Sequence, residues 1–149
     1  MFLIVGFVMA GISINNMLSE QNAEIQADPN MAAEAKAVMS TATAQMPSLI
    51  DGGFIFLLFG IWIWLIVSSL FIESHPAFFV IGIIAMVIVV IMGANLANAY
   101  DEFILQSPDL AATAANYSIT NFVMGHFIET ILIIIFSVVI TLYTKSRLE

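Results

Sequence analysis

Five side chains are of the kind that can do chemistry inside apolar surroundings. They are His126, Glu129 and Thr130 in GHFIETILIIIF (residues 125–136), and Asn95 and Asn98 in MGANLAN (residues 92–98). An imidazole three residues from a carboxylate lies on the same side of a helix. Such a pair can pass a proton or line an ion path, and an acid inside a membrane span often marks one. The same residue types also serve as hydrogen-bonding glue between helices, at about 0.6 kcal/mol per contact. His126, Thr130, Ser137, Thr141 and Thr144 recur at helical steps and trace one polar stripe. No second acid lies beyond Thr130 on it to receive a proton. If the helix enters lipid near Phe122, Glu129 stands roughly 10 Å down. A lone ionised carboxylate at that depth is costly, so a donor is expected beside it, His126 being nearest.

The elements that must position these groups follow from composition. Of 149 residues, 61% are hydrophobic and 9% charged, against about a quarter charged in a soluble domain. The charges are confined to polar stretches, and Glu129 is the formal charge that interrupts an apolar run. This pattern predicts an all-α integral membrane bundle forming a single membrane domain over residues 1–149. Four spans are expected, at about 2–18, 52–72, 77–96 and 122–143. The last three are each long enough for a hydrocarbon core of roughly 30 Å. The first lacks the basic n-region of a secretory signal and is read as a retained span.

Acidic extramembrane connections are expected at 19–51 and 97–121. In the first, Asp28-Pro29 reads as a cap and start for a short helix over 29–45, with Met31, Ala35, Val38, Ala42 and Met46 on one face as a packing surface. Ser48-Leu49-Ile50-Asp51 resembles a capping box that opens the second span. The second connection reads as a loop with a helical turn. The link Glu73-Ser74-His75-Pro76 is so short that spans two and three should be antiparallel neighbours. Lys145 and Arg147 after the last span predict cytoplasmic termini and outward-facing acidic connections, with Lys36 against the trend.

In this arrangement Asn95 and Asn98 approach His126, and Asn15 and Asn16 come near, giving an intramembrane polar cluster toward one leaflet. Small residues predict close helix approach at Gly6 and Ala10, at Gly53 and Gly60, and at Gly93 and Ala97. Trp62 and Trp64 lie mid-span rather than at the interface and are expected to pack in the core or against another subunit.

Several classes are disfavoured. Cysteine is absent, which removes disulfides and thiolate chemistry. A net charge of −8 argues against a nucleic-acid partner, which needs clustered bases. His75 and His126 fall near opposite membrane faces, so no metal site is expected. No nucleophile–base pair, phosphate loop or dinucleotide fingerprint occurs, and neither catalytic residues nor a cofactor are expected.

The run ESHPAFFVIGIIAMVIVVIMGANLANAYDEF, residues 73–103, resembles the short-turn helix and polar exit of small membrane proteins from bacterial viruses with an internal lipid membrane. The resemblance covers about a fifth of the chain. It implies a minor, non-enzymatic component linking a bilayer to a protein shell, although four spans exceed the one or two of many such proteins. The expected partners are the lipid bilayer and other copies, membrane proteins or capsid proteins. The expected location is a bacterial inner membrane or a virion internal membrane. The competing reading is an oligomeric pore former, a channel subunit or holin-like protein, using the stripe of the last helix.

Overall fold

The computed structural model describes residues 2–71 and 76–148, without the side chains of 76–80 and 146–148. Six helices follow in order: α1 (Phe2–Ala27), α2 (Ala33–Leu70), α3 (Pro76–Ile104), α4 (Pro108–Ala114), α5 (Ser118–Gly125) and α6 (Phe127–Leu148). No strand occurs among the described residues. Helices α1, α2, α3 and α6 are long and apolar enough to cross a membrane. The all-α bundle with four candidate spans is therefore what the chain forms.

Helix α1 packs along α2 and against α3, while α6 packs against both α2 and α3. Among the described residues the expected pairing of α2 with α3 is not an extended contact; α1 and α6 each pack against both helices instead. The link itself, with Glu73 and His75, lies outside the described residues. The short α4 and α5 close the end at which α3 finishes and α6 begins.

The core explains this packing. Ile4, Val5, Val8 and Ile12 are buried at helical spacing on α1 and meet Phe54 and Leu58 of α2. Leu96 and Tyr100 of α3 join Phe127, Ile131 and Ile134 of α6. Outward faces are as apolar as the core, with Trp64 at 71% exposure, Phe71 at 82% and an exposed row along α3 at Ile81, Ile84, Ile88 and Ile91. Water could not solvate such a surface; lipid or another copy can.

Element boundaries differ from the sequence reading in instructive ways. The short helix expected at 29–45 and the span at 52–72 are one helix, α2, running straight through Pro47. Asp28 does not cap it. Its Oδ1 accepts from Asn30 N at 2.8 Å, an Asx turn that reverses the chain. Helix α1 continues to Ala27 rather than ending near Leu18, so 19–51 is a helical hairpin and not a loose connection. Gln26 Nε2 donates to Lys36 O at 2.9 Å, and Lys36 Nζ donates to Gln26 O at 3.0 Å, tying its tip. The segment expected as one span over 122–143 is broken at His126, whose φ of −119° and ψ of 34° separate α5 from α6. The third span runs past Leu96 to Ile104.

Close helix approach is selective. Gly93 faces α6 with no room for a Cβ beside Ile131, and Gly53 would place one 3.0 Å from Phe7 Cζ. Ala97 packs on the core edge. Gly6 and Gly60 instead have open space around them, and Ala10 is exposed. The tightest unanticipated approach is Gly11, where a Cβ would lie 2.7 Å from Ile50 Cδ1 and 3.0 Å from its Cγ1 and Cγ2.

Ile50 is β-branched and cannot swing aside easily, so enlarging residue 11 forces α1 and α2 apart. Gly11→Leu is expected to destabilise the detergent-solubilised protein by about 1–3 kcal/mol, read as a lower unfolding temperature, whereas Gly60→Leu leaves it unchanged. Equal behaviour of the two variants would contradict this packing.

Candidate functional site

The polar residues that converge lie around Asp51. This acid sits three and seven residues before Phe54 and Leu58, so it shares their buried face on α2, and it is 7% exposed. Its carboxylate meets the start of α5. Oδ2 accepts from Ile119 N at 3.0 Å, and Oδ1 accepts from Thr120 N at 3.0 Å and Thr120 Oγ1 at 2.6 Å. The residue preceding α5, Tyr117, makes no side-chain cap. Asp51 therefore caps α5 from another helix, supplying negative charge where free N–H groups and the positive helix end coincide.

A layer of hydrogen bonds surrounds this cap. Tyr100 of α3 donates its hydroxyl to Asn121 Oδ1 at 2.6 Å, and Asn121 Nδ2 donates to Ala114 O at 2.8 Å. Thr113 of α4 donates to Asn16 Oδ1 of α1 at 3.0 Å. Helix α4 itself starts where Ser107 Oγ accepts from Leu110 N at 3.1 Å, with Pro108 at its first position. Asn15 and Tyr117 are buried in the same layer. Burial pushes the Tyr117 phenol above its ordinary range.

The residues singled out from sequence are placed differently. His126 is exposed at the α5–α6 break, lies tilted by 30° against Phe122 at 4.7 Å between ring centroids, and its Nδ1 donates to Phe122 O at 2.9 Å. Glu129 is exposed in the first turn of α6. Because α6 begins at Phe127, Glu129 lies only about 3 Å along the helix by its rise, not deep in it. Thr130 is half-buried, and its N–H donates to His126 O at 2.9 Å. Asn95 and Asn98 are both exposed, Asn95 Nδ2 donating to Ile91 O at 3.0 Å. These five side chains are not joined by hydrogen bonds to one another among the described residues. Asn15 and Asn16 do enter the polar layer.

Sequence reasoning missed Tyr100, Tyr117, Thr120 and Asn121, and it placed Asp51 in a capping box of the second span, whereas α2 runs unbroken through Ser48 and Asp51 caps α5 instead. One partial signal was available: an acid that opens an apolar span is stable only where the protein itself supplies donors, and Asp51 stands in phase with Phe54 and Leu58, which the structure buries. Further along the bundle, Trp62 Nε1 donates to Ser137 Oγ at 2.7 Å, and Ser137 Oγ donates to Ile134 O at 2.6 Å. Trp62 therefore packs between α2 and α6 as expected, while Trp64 faces outward.

Chemically, both Asp51 oxygens are engaged, which holds the group as an anchor for α5. Among the described residues no three His, Asp or Glu side chains gather as a metal set. No protein-family model matches the chain, and no curated protein or solved structure gives a significant match.

Removing the Asp51 carboxylate strands two backbone N–H groups and a hydroxyl in a dry junction. Asp51→Ala is expected to cost about 2–4 kcal/mol and to accelerate hydrogen exchange at the amides of 119 and 120. His126→Ala and Glu129→Gln should change stability by less than about 0.5 kcal/mol. Unchanged exchange at 119 and 120 in Asp51→Ala would refute the cap.

Proposed function

We propose that this chain is a non-enzymatic membrane scaffold that packs into an oligomeric assembly and presents its α1–α2 hairpin to a protein partner. The observation that carries the reading is the hairpin itself. From about residue 18 to residue 46 it carries the polar part of α1 and α2, and its Ala35–Val38–Ala42 stripe is exposed, Val38 at 70%. A helical arm that buries little of its own surface gains its use from what binds it.

Charge indicates the partner's character. Glu20, Glu24, Asp28 and Glu34 on the hairpin face one base, Lys36, and Asp101, Glu102 and Asp109 lie at the same end of the bundle. A basic protein face complements this end, and its field would steer the encounter. Lys145 and Arg147 mark the opposite end as the cytoplasmic one, which directs the hairpin outward. A component joining a bilayer to a protein shell, as in a virion membrane, has this layout. The exposed apolar row on α3 would serve contacts between copies.

The pore reading draws less support. Ser137, Thr141 and Thr144 each donate to a backbone carbonyl of their own helix, and Phe54, Leu58, Phe127 and Ile131 fill the bundle core. A path for ions would have to form between copies.

Replacing Glu20, Glu24 and Glu34 together by Gln is expected to reduce partner recovery from native membranes by about tenfold or more, with membrane insertion and unfolding temperature unchanged. Undiminished recovery, or ion conductance by the purified protein in planar bilayers that Glu129→Gln abolishes, would overturn the scaffold reading.

A further inference from the structure

Helix α3 is the least covered of the four candidate spans. Its buried side carries Gly93, Leu96 and Tyr100. On the opposite side Ile81, Ile84, Ile88 and Ile91 stand 51–58% exposed. Asn95 and Asn98 continue the same row and are exposed too. The steps along these six residues are three, four, three, four and three. That is a heptad seam, with isoleucine at its a and d positions until Asn95 takes an a and Asn98 a d.

The isoleucines alone do not name a partner, since acyl chains accept them as well as another helix does. The asparagines are more demanding. Gly93 lies against Ile131 and Phe127, so Asn95 stands level with the first turn of α6. By helical rise it is roughly 7 Å inside Tyr100 and the polar layer that closes the bundle. Its Nδ2 donates to Ile91 O at 3.0 Å, which uses one of two N–H bonds and none of its acceptor capacity. Asn98 adds a second carboxamide three residues on. Acyl chains offer such groups neither donor nor acceptor, so a protein surface must.

A second copy of the same chain fits this face. Insertion follows the charge of the flanking segments, so all copies share one orientation and two α3 helices meet in parallel. A twofold axis along the membrane normal then sets each seam residue against its own counterpart. Isoleucine meets isoleucine, and asparagine meets asparagine. A carboxamide carries both donors and an acceptor, so it complements itself, which a single charge of either sign does not. An asparagine at an a position also fixes the register of such a pair. The same geometry brings together the Glu102 carboxylates, one heptad beyond Asn95. There the helix has reached the acidic end, where water and salt screen them.

We propose that two copies of this chain associate through α3, with Ile84, Ile88 and Ile91 interdigitating across the seam and Asn95 hydrogen-bonded to its own counterpart. The pairing rests on the scaffold reading, whose contacts between copies it assigns to one helix face. A parallel pair presents two α1–α2 hairpins on one side of the membrane, so a partner with two matching sites gains by avidity.

The test uses the full chain in membranes, where the absence of cysteine makes single-cysteine crosslinking clean. Ile84→Cys, Ile88→Cys and Ile91→Cys are expected to form disulfide-linked dimers on mild oxidation. Ile83→Cys is exposed but about a quarter turn off the seam, and it is expected not to. In the Ile88→Cys background, Asn95→Leu should weaken association about tenfold and Asn95→Gln should restore most of it, read from dimer yield as the protein is diluted in lipid. Equal crosslinking of Ile83→Cys and the seam variants would report chance collision, and the proposal fails. It also fails if Asn95→Leu leaves the dimer yield unchanged, or if the crosslinked product contains a different protein. Dimers through Phe56→Cys of α2 or Phe136→Cys of α6, with none through α3, overturn the seam while the oligomeric scaffold stands. Dimers at no position overturn both.

Discussion

The end cap of this bundle depends on one carboxylate meeting one helix start. Asp51 reaches from α2 to the first N–H groups of α5 and satisfies them where neither solvent nor a local side chain does. Polar backbone at the edge of a membrane bundle must find partners inside the protein, because lipid supplies none. The break at His126 separates the α5 so anchored from α6. Tyr100, Asn121, Thr113 and Asn16 then close around the cap, so α1, α2, α3, α4 and α5 all contribute to one polar layer.

Below that layer the structure is held by shape. Small residues appear where backbones come close, at Gly11, Gly53 and Gly93, and each is filled by one side chain from a neighbour: Ile50, Phe7 or Ile131. In lipid no hydrophobic force separates inner from outer faces, since acyl chains are as apolar as leucine. Fit and a few hydrogen bonds such as Trp62 to Ser137 must therefore select the arrangement. Above the layer the hairpin is different in kind: polar, acidic and thinly packed, restrained at its tip by the reciprocal Gln26 and Lys36 bonds. Where the two regimes meet, Pro47 interrupts the hydrogen bonding of α2.

Much of the fold was legible in the sequence because hydropathy acts over whole segments. Runs of about twenty apolar residues and the scarcity of charge specify membrane helices almost regardless of detail. The helical turn expected within 97–121 is met by α4, which starts at Ser107-Pro108. The polar cluster was not legible. His126, Glu129, Asn95 and Asn98 appear as intruders in apolar text, yet each is exposed on an outward face. Asp51 reads as an unremarkable boundary acid, and its significance arises from Thr120, sixty-nine residues away in the chain.

By itself, then, the sequence determined the class of the protein, the number of candidate spans, the acidic character of one end and the residue types able to pack closely. Those properties are sums over local composition, which no change of packing can alter. Only the tertiary structure decided that α1 and α6 each pack against both α2 and α3, that 19–51 folds into a hairpin, and that Asp51 rather than Glu129 is the buried acid. Each of these turns on which partner a side chain meets across the bundle. A helix face is periodic and presents several nearly equivalent stripes, so its own sequence does not say which stripe turns inward until the other helices are in place.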